Sequence, residues 1–341
     1  MIQAVGVIFD TLRKHQENTR DHFLTDWECC CAGANDFVRM SERCEEIIDE
    51  IKMECTLTVE AQEYLDEKCA APLLGVYSID AVYAAQRAAI FIFQDIADDI
   101  GDELFTDSWL DELPDNDLAV TIYKTIDDFM EDLSNCLDDI MLQKTLEALI
   151  VRTIIYYVGQ LLDRATNHKA RDSFFADNQR ALQRMNGDMN VVKEYFESLA
   201  EEDFPTLNRV IEREFDFFET VHEIMSIAAG LSDSDIRDFI YAFQRRIQKF
   251  DITLLVVGDL YHLINPSEEK KVYEIIKEEE DDLRAEEDEN AIDPEKDRAT
   301  VSGLRLDIML KKHIEDSKEK KRKRPGLSKE EGGGGGGLFN W

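Results

Sequence analysis

Residues 91–112 read Phe-Ile-Phe-Gln-Asp-Ile-Ala-Asp-Asp-Ile-Gly-Asp-Glu-Leu-Phe-Thr-Asp-Ser-Trp-Leu-Asp-Glu, and this stretch decides the fold. Apolar residues recur every three or four positions up to an aromatic knuckle that contains Phe105 and Trp109. After Pro114 a second stripe follows at helical spacing: Ile122, Ile126, Phe129, Met130, Leu133, Leu137, Ile140 and Met141. Such stripes are typical of amphipathic helices with one buried face. The stretch predicts a helical hairpin, with Phe105 and Trp109 buried against a neighbouring helix.

The same periodicity continues along the chain, without paired strand signals. We predict helices at 2–23, 26–55, 58–69, 76–105, 117–141, 144–163, 168–200, 206–229, 234–249 and 253–263. Proline cannot continue a helix, so breaks are expected at Pro72, Pro114, Pro205 and Pro266. Gly230 and the Leu-Ser-Asp-Ser that follows it supply a C-cap and the next N-cap.

Short loops between amphipathic helices favour antiparallel neighbours. The sequence therefore predicts an all-α fold of consecutive antiparallel helical bundles that form an elongated rod. We divide it into an N-terminal helical segment at 1–72, a helical bundle at 73–200 and a C-terminal helical bundle at 201–267. A charged, glycine-ended tail at 268–341 is expected to be disordered or a single helix.

Acidic residues dominate the chain: 74 Asp and Glu against 39 Lys and Arg give a net charge of −35. Residues 268–341 carry 21 acidic and 16 basic side chains, so about −30 lies on the first 267 residues. A surface of that charge repels phosphates, which argues against nucleic acid and anionic bilayers as direct partners. Basic or mixed protein surfaces are the expected partners. The basic run at 318–324 allows at most weak peripheral membrane contact.

No targeting or membrane-spanning segment is expected. The first nine residues lack a basic n-region, and the apolar helix predicted around 146–162 is interrupted by Glu147 and Arg152. These features predict a soluble intracellular protein. Its seven cysteines, at 29, 30, 31, 44, 55, 69 and 136, suit neither a disulfide framework nor a zinc site, so we expect reduced and mostly buried thiols.

Signatures of common enzyme chemistry are missing from the sequence, among them the P-loop, the dinucleotide fingerprint, Gly-x-Ser-x-Gly and His-Glu-x-x-His. One metal-like pattern remains. Glu219-x-x-His222 and Asp259-x-x-His262 would supply half of the ligands of a di-iron bundle. Acidic residues are so frequent here that an acid three positions before a histidine arises by chance. We therefore expect no catalytic, cofactor-binding or metal-binding residues, no cofactor and no enzymatic activity.

Three segments in a fixed order carry a resemblance to a known family. Residues 91–133 place a helix ending in a Leu-Phe-Thr…Trp-Leu knuckle before a Thr-Ile-Asp-Asp-Phe stretch. Upstream, 27–39 holds a small-residue run that ends in Ala-Asn-Asp, and downstream, 186–199 holds an acidic, aliphatic stretch that leads to a Phe…Leu pair. Together they resemble the C-terminal region of exocyst complex component three, the Sec-six subunit family of the vesicle-tethering exocyst, over roughly residues 20–265.

The resemblance implies a non-enzymatic subunit of the exocyst, which helps to dock secretory vesicles at the plasma membrane in exocytosis. Other exocyst subunits and SNARE proteins would be its partners. Its location would be cytoplasmic, peripheral to the plasma membrane at sites of secretion. Full family members also carry an N-terminal coiled-coil portion, and the sequence leaves open whether this chain is a fragment that lacks it. The residues alone leave open a generic α-helical scaffold or adaptor and a di-iron helical-bundle oxidoreductase.

Overall fold

The computed structural model describes residues 2–101, 103–111, 117–167, 177–227 and 230–238, with isolated positions at 175, 260, 270–272, 274, 275 and 278. These residues form an all-α structure without a strand, as predicted. The helices are α1 Ile2–Phe23, α2 Trp27–Glu54, α3 Val59–Glu63, α4 Ala71–Ile100, α5 Asp107–Asp111, α6 Asp117–Cys136, α7 Asp139–Asn167, α8 Asn178–Glu202 and α9 Asn208–Met225. Helical turns at 233–238 follow. Most of the predicted helices at 234–249 and 253–263, and nearly all of the predicted tail, lie outside the described residues.

Helix α4 is the central element, and it packs against α1, α2, α6 and α7. Its buried faces are rich in alanine, which allows a close approach of the neighbouring helices: Ala81, Ala84, Ala85, Ala88 and Ala89 are at most 1% exposed. A Cβ placed on Gly33 of α2 would lie 4.0 Å from the Cβ of Ala84. Further along α2, Cys44 contributes to the raised pKa of Tyr77 on α4. Residues later in α2 therefore lie near residues earlier in α4. The two helices are antiparallel, as the short loops predict.

Helix α1 also packs against α4 and is joined to it by a buried carboxylate. Asp80 accepts hydrogen bonds from Gln16 Nε2 at 3.0 Å and from Arg20 Nη1 at 2.9 Å. The Arg20 guanidinium also lies over the ring of Tyr83, 4.0 Å from its centroid. Asp80 is 3% exposed, so its charge is stabilised by these donors rather than by water.

The break predicted at Pro72 is wrong. Helix α3, a π-helical segment at Tyr64–Ala70 and α4 follow one another without interruption, and Pro72 lies in the first turn of α4. The N–H of Ala71 bonds to the carbonyl of Asp66, five residues back. A π-helical turn of this kind is wider than an α-helical one and leaves room for the proline ring, which otherwise clashes with the carbonyl four residues earlier. The division of the chain at 72/73 stays a prediction.

One helical run, Val59–Ala97, is long and apolar enough to cross a membrane by length and composition, although half of its most apolar window is buried inside the fold. This run is not the apolar helix that the sequence analysis discussed at 146–162. Because α4 forms the centre of the helical packing, its apolar character is explained by the core.

Several predicted helix boundaries are wrong. Helix α4 ends at Ile100 rather than at 105, and α6 ends at Cys136, so that Ile140 and Met141 belong to α7. Past this turn Met141 is still buried, at 5% exposure, whereas Ile140 is 70% exposed. Helix α8 begins at Asn178 rather than at 168, because the side chain of Asp177 caps it by accepting from Arg180 N.

The break at Pro205 is confirmed, whereas the C-cap predicted at Gly230 is wrong, because α9 ends at Met225 and Ser226 is its C-cap. A short 3-10 turn, Pro205–Leu207, opens α9. Gly230 has a φ of +86°, a left-handed backbone that favours glycine. Ser232 and Asp235 then form a reciprocal capping box, in which each side chain accepts from the backbone N–H of the other.

Candidate functional site

The aromatic knuckle lies between α4 and α6 and is buried, as predicted. Phe105 and Trp109 are 3% and 2% exposed. The Phe105 ring meets the rings of Trp109 and Tyr157 edge to face, with centroids 5.0 and 4.9 Å apart. Phe105 has a φ of +59°, which a bulky residue adopts only where its surroundings impose it. The buried ring contacts hold this backbone conformation, which turns the chain out of α4.

A fully buried carboxylate anchors the knuckle. Oδ2 of Asp188, on α8, accepts hydrogen bonds from Trp109 Nε1 at 3.0 Å and from the Tyr157 hydroxyl at 2.8 Å. Its other oxygen lies 3.4 Å from Nε of Arg184, one turn earlier on α8. Burial raises the pKa of Asp188, while the Tyr157, Trp109 and Arg184 groups oppose that rise. This cluster ties the knuckle to α7 and α8.

Sequence reasoning missed Asp188, although it lies beside the apolar positions Met189, Val192 and Phe196 of the same helix. Position 188 precedes Val192 by four residues, so it shares the buried face. A carboxylate on an apolar stripe, in a chain that also holds a buried tryptophan, was the signal that could have identified it.

A second buried polar contact joins α2 to the α6–α7 turn. The Asn35 amide donates to the carbonyl of Cys136 at 2.7 Å and accepts from the N–H of Asp138 at 3.1 Å. These backbone groups lie where α6 ends and α7 begins, so they lack partners within a helix. We refer to this contact as the Asn35 clamp. Asn35 belongs to the Ala-Asn-Asp step of the segment at 27–39.

The outer surface of α6 is strongly acidic. Its exposed carboxylates, with those of the following turn, form the acidic ridge: Asp127, Asp128, Glu131, Asp132, Asp138 and Asp139. No Lys or Arg occurs between 125 and 143. On α8, which packs beside α6, Glu194 and Glu201 are also exposed. The ridge thus places six carboxylates, with no Lys or Arg between them, at the surface of α6 and of the turn that follows it.

A pair of stacked tyrosines lies beside the acidic ridge. The rings of Tyr123 and Tyr195 stack with centroids 5.3 Å apart, and the Tyr195 hydroxyl donates to Asp127 at 3.2 Å. Burial, together with Asp127, raises the pKa of Tyr195. Ile140, beyond the end of the ridge, is an exposed apolar side chain. A charged surface with a fixed base and an apolar neighbour is suited to bind a protein surface that is basic and partly apolar.

The metal-like pattern does not form a site where the structure describes it. His222 lies on α9, and its Nε2 is 3.1 Å from the carbonyl of Leu182, so the ring joins α9 to α8. Glu219 is exposed. Asp259 and His262 lie outside the described residues. Within the described part of the chain no group of three or more His, Cys, Asp or Glu is placed to hold a metal ion.

The seven cysteines are free, and four of them are buried: Cys30, Cys31, Cys44 and Cys69. Burial is the main reason why the pKa of Cys30 rises to about 11 and that of Cys31 to about 12. Cys29 and Cys136 are exposed. The expectation of mostly buried thiols agrees with this distribution.

Comparisons with known proteins give one family match and one likeness of fold. The family model described as exocyst complex component Sec6 matches residues 7–228, which include Asn35, Trp109 and Asp188. Among solved structures, the chain is similar to the crystal structure of the C-terminal domain of the exocyst subunit Sec6p, with a TM-score of 0.66. That likeness covers 89% of this chain and 79% of the other at 15% sequence identity, so it concerns the fold alone. No curated protein matches the chain.

Proposed function

The chain belongs to the Sec6 family of exocyst complex components, and from this premise we propose that it is a non-enzymatic tethering subunit that helps to dock secretory vesicles at the plasma membrane. In finer terms, we assign it to the C-terminal region of exocyst complex component three. The observation that carries the proposal is the family match over residues 7–228, together with an all-α fold similar to that of an exocyst subunit domain.

Its partners would be other exocyst subunits and, through the same helical body, SNARE proteins of the plasma membrane. The acidic ridge supports this proposal, because an exposed row of carboxylates on a rigid helix attracts basic protein surfaces and speeds their encounter. Several weak contacts of this kind gain strength by avidity once the complex assembles. The working location would be the cytoplasm at sites of secretion.

The test is a pull-down of the full chain against each of the other exocyst subunits and plasma-membrane SNARE proteins, at low and at high salt. We expect capture of at least one exocyst subunit, weakened by salt, because the Debye length falls from about 10 Å at 0.1 M to about 3 Å at 1 M. Bound metal and hydrolase or oxidoreductase activity, measured on the same preparation, should be absent. Failure to capture any partner at low salt would favour the generic helical scaffold, and stoichiometric iron would favour the oxidoreductase.

A further inference from the structure

One face of α2 is directed at α6 along two helical turns. Trp27, at the start of α2, packs edge-on against Phe129, with ring centroids 5.6 Å apart. Eight residues later, Asn35 donates to the carbonyl of Cys136. Cys31 lies four residues from each of these contacts, and residues four apart share a helix face. Cys31 therefore faces α6 between Phe129 and Cys136, and it is 1% exposed.

Cys136 lies at the same interface, because its carbonyl accepts from the amide of Asn35, one helical turn along α2 from Cys31. After burial, the charge of Cys136 is the largest cause of the raised pKa of Cys31, ahead of the charge of Cys30. Cys136 is the last residue of α6, where the helix can adjust, and its side chain is exposed.

The neighbouring cysteines are directed elsewhere. Adjacent residues on a helix point about 100° apart, so Cys29 and Cys30 do not share the face of Cys31. The Cys30 thiol is instead close enough to Arg87, on α4, for that guanidinium to counter the rise of its pKa. Cys29 is exposed at the first turn of α2, where its N–H bonds to Asp26.

We propose that peroxide oxidation joins Cys31 and Cys136 in a disulfide that locks α2 to the end of α6. The exposed Cys136 thiolate attacks one oxygen of hydrogen peroxide, the O–O bond breaks, and Cys136 sulfenic acid and, after protonation, water result. The Cys31 sulfur then attacks the sulfenic sulfur, the S–O bond breaks, and the S–S bond forms as a second water leaves with the Cys31 proton. Two thiols are oxidised and one peroxide is reduced to two waters.

The experiment treats the reduced full chain with hydrogen peroxide, blocks free thiols and maps disulfide-linked peptides by mass spectrometry without reduction. We expect a linked pair of Cys31 and Cys136 that is lost in Cys31→Ser, in Cys31→Ala and in Cys136→Ser, and is kept in Cys29→Ser and Cys30→Ser. Because the bond would close a loop of roughly 100 residues, it should raise the Tm by about 5–10 °C in the wild type, reversed by dithiothreitol.

Two results would overturn the proposal. One is a link from Cys136 to Cys29 or Cys30 that persists in Cys31→Ala. The other is oxidation of Cys136 to sulfinic acid without any link to Cys31. The alanine and serine variants are first checked by circular dichroism, so that loss of the link is not confused with loss of the fold. None of these outcomes depends on capture of an exocyst partner.

Discussion

The indole nitrogen of Trp109 donates a 3.0 Å hydrogen bond to Asp188, and this bond joins two residues that lie 79 positions apart. It connects the knuckle to α8, and Tyr157 brings α7 to the same carboxylate oxygen. Two of the three segments that carry the family resemblance, 91–133 and 186–199, thus meet at one buried group. The cluster holds the helical body together from its interior and leaves the acidic ridge free at the surface.

Replacement of Trp109 tests this anchor. Trp109→Ala removes a large buried ring and a donor to Asp188, so the free energy of unfolding should fall by about 3–5 kcal/mol. Trp109→Phe keeps most of the ring volume and loses only the hydrogen bond, so its cost should be about 1–3 kcal/mol. Urea denaturation measures both values. Phe23→Ala is the control, because Phe23 is 65% exposed and its loss should change stability by less than about 0.5 kcal/mol. Equal effects of Trp109→Ala and Phe23→Ala would contradict the anchor.

Stability should depend on pH through Asp188. Its pKa is raised above the ordinary value of 3.8, so the folded state binds this proton more tightly than the unfolded state. The contribution is fully present below pH 3.8 and is lost as the pH rises through the folded pKa. Asp188→Asn has no such titration, so its stability relative to the wild type should improve as the pH increases from 4.

The matched control for pH is Asp26→Ala. Asp26 caps α2, and the N–H of Cys29 lowers its pKa. Its stabilising contribution is present above the ordinary pKa and is lost as the pH falls, so the penalty of Asp26→Ala should grow with rising pH. Thermal unfolding of the three proteins from pH 2 to pH 8 gives both slopes, that of Asp26→Ala below pH 3.8 and that of Asp188→Asn above it. Slopes of the same sign would show that Asp188 does not titrate as described.

The sequence predicted the fold well where the signal is local. The stripe with Ile122, Ile126 and Leu133 identified the buried face of α6, and the knuckle residues Phe105 and Trp109 are buried as expected. The rule that proline ends a helix failed at Pro72, because a π-helical turn ahead of it removes the steric conflict. Ile140 fits the stripe of α6 by its spacing, but α6 ends before it. The spacing of apolar residues does not show where the chain changes direction.

The buried polar contacts were harder to predict, because they join positions far apart in the chain. Asp188 is one of 74 acidic residues, and only its place on an apolar stripe distinguishes it from the solvated ones. In the Asn35 clamp, Asn35 bonds to backbone groups that lie 101 and 103 positions further along the chain. A single sequence does not indicate which distant positions pair in this way. The acidic ridge was foreseen only as net charge, since its concentration on one surface depends on which helix faces outward.

The Asn35 clamp predicts a clear loss of stability on substitution. Asn35→Ala leaves the carbonyl of Cys136 and the N–H of Asp138 without their partner, which should cost about 1–3 kcal/mol. Asn18→Ala is the control, because Asn18 is exposed and bonds only to Lys14 in its own helix. Hydrogen exchange around 136–140 should accelerate in Asn35→Ala and not in Asn18→Ala. Unchanged exchange at that turn would show that other contacts fix it.

Charge reversal on the acidic ridge tests its role in association. Asp128→Lys with Asp132→Lys changes two exposed carboxylates one turn apart on α6. Glu45→Lys with Asp49→Lys makes the same change of charge on α2, again at exposed positions four residues apart. If basic partners bind the ridge, the first pair should slow association with a captured exocyst subunit by about tenfold at low salt and reduce its salt dependence. The second pair should change the association rate and its salt dependence only as much as the change in net charge, which is the same for both pairs, requires. Surface plasmon resonance at several salt concentrations measures both effects, and equal slowing by the two pairs would assign the attraction to the overall charge of the chain instead of to the ridge.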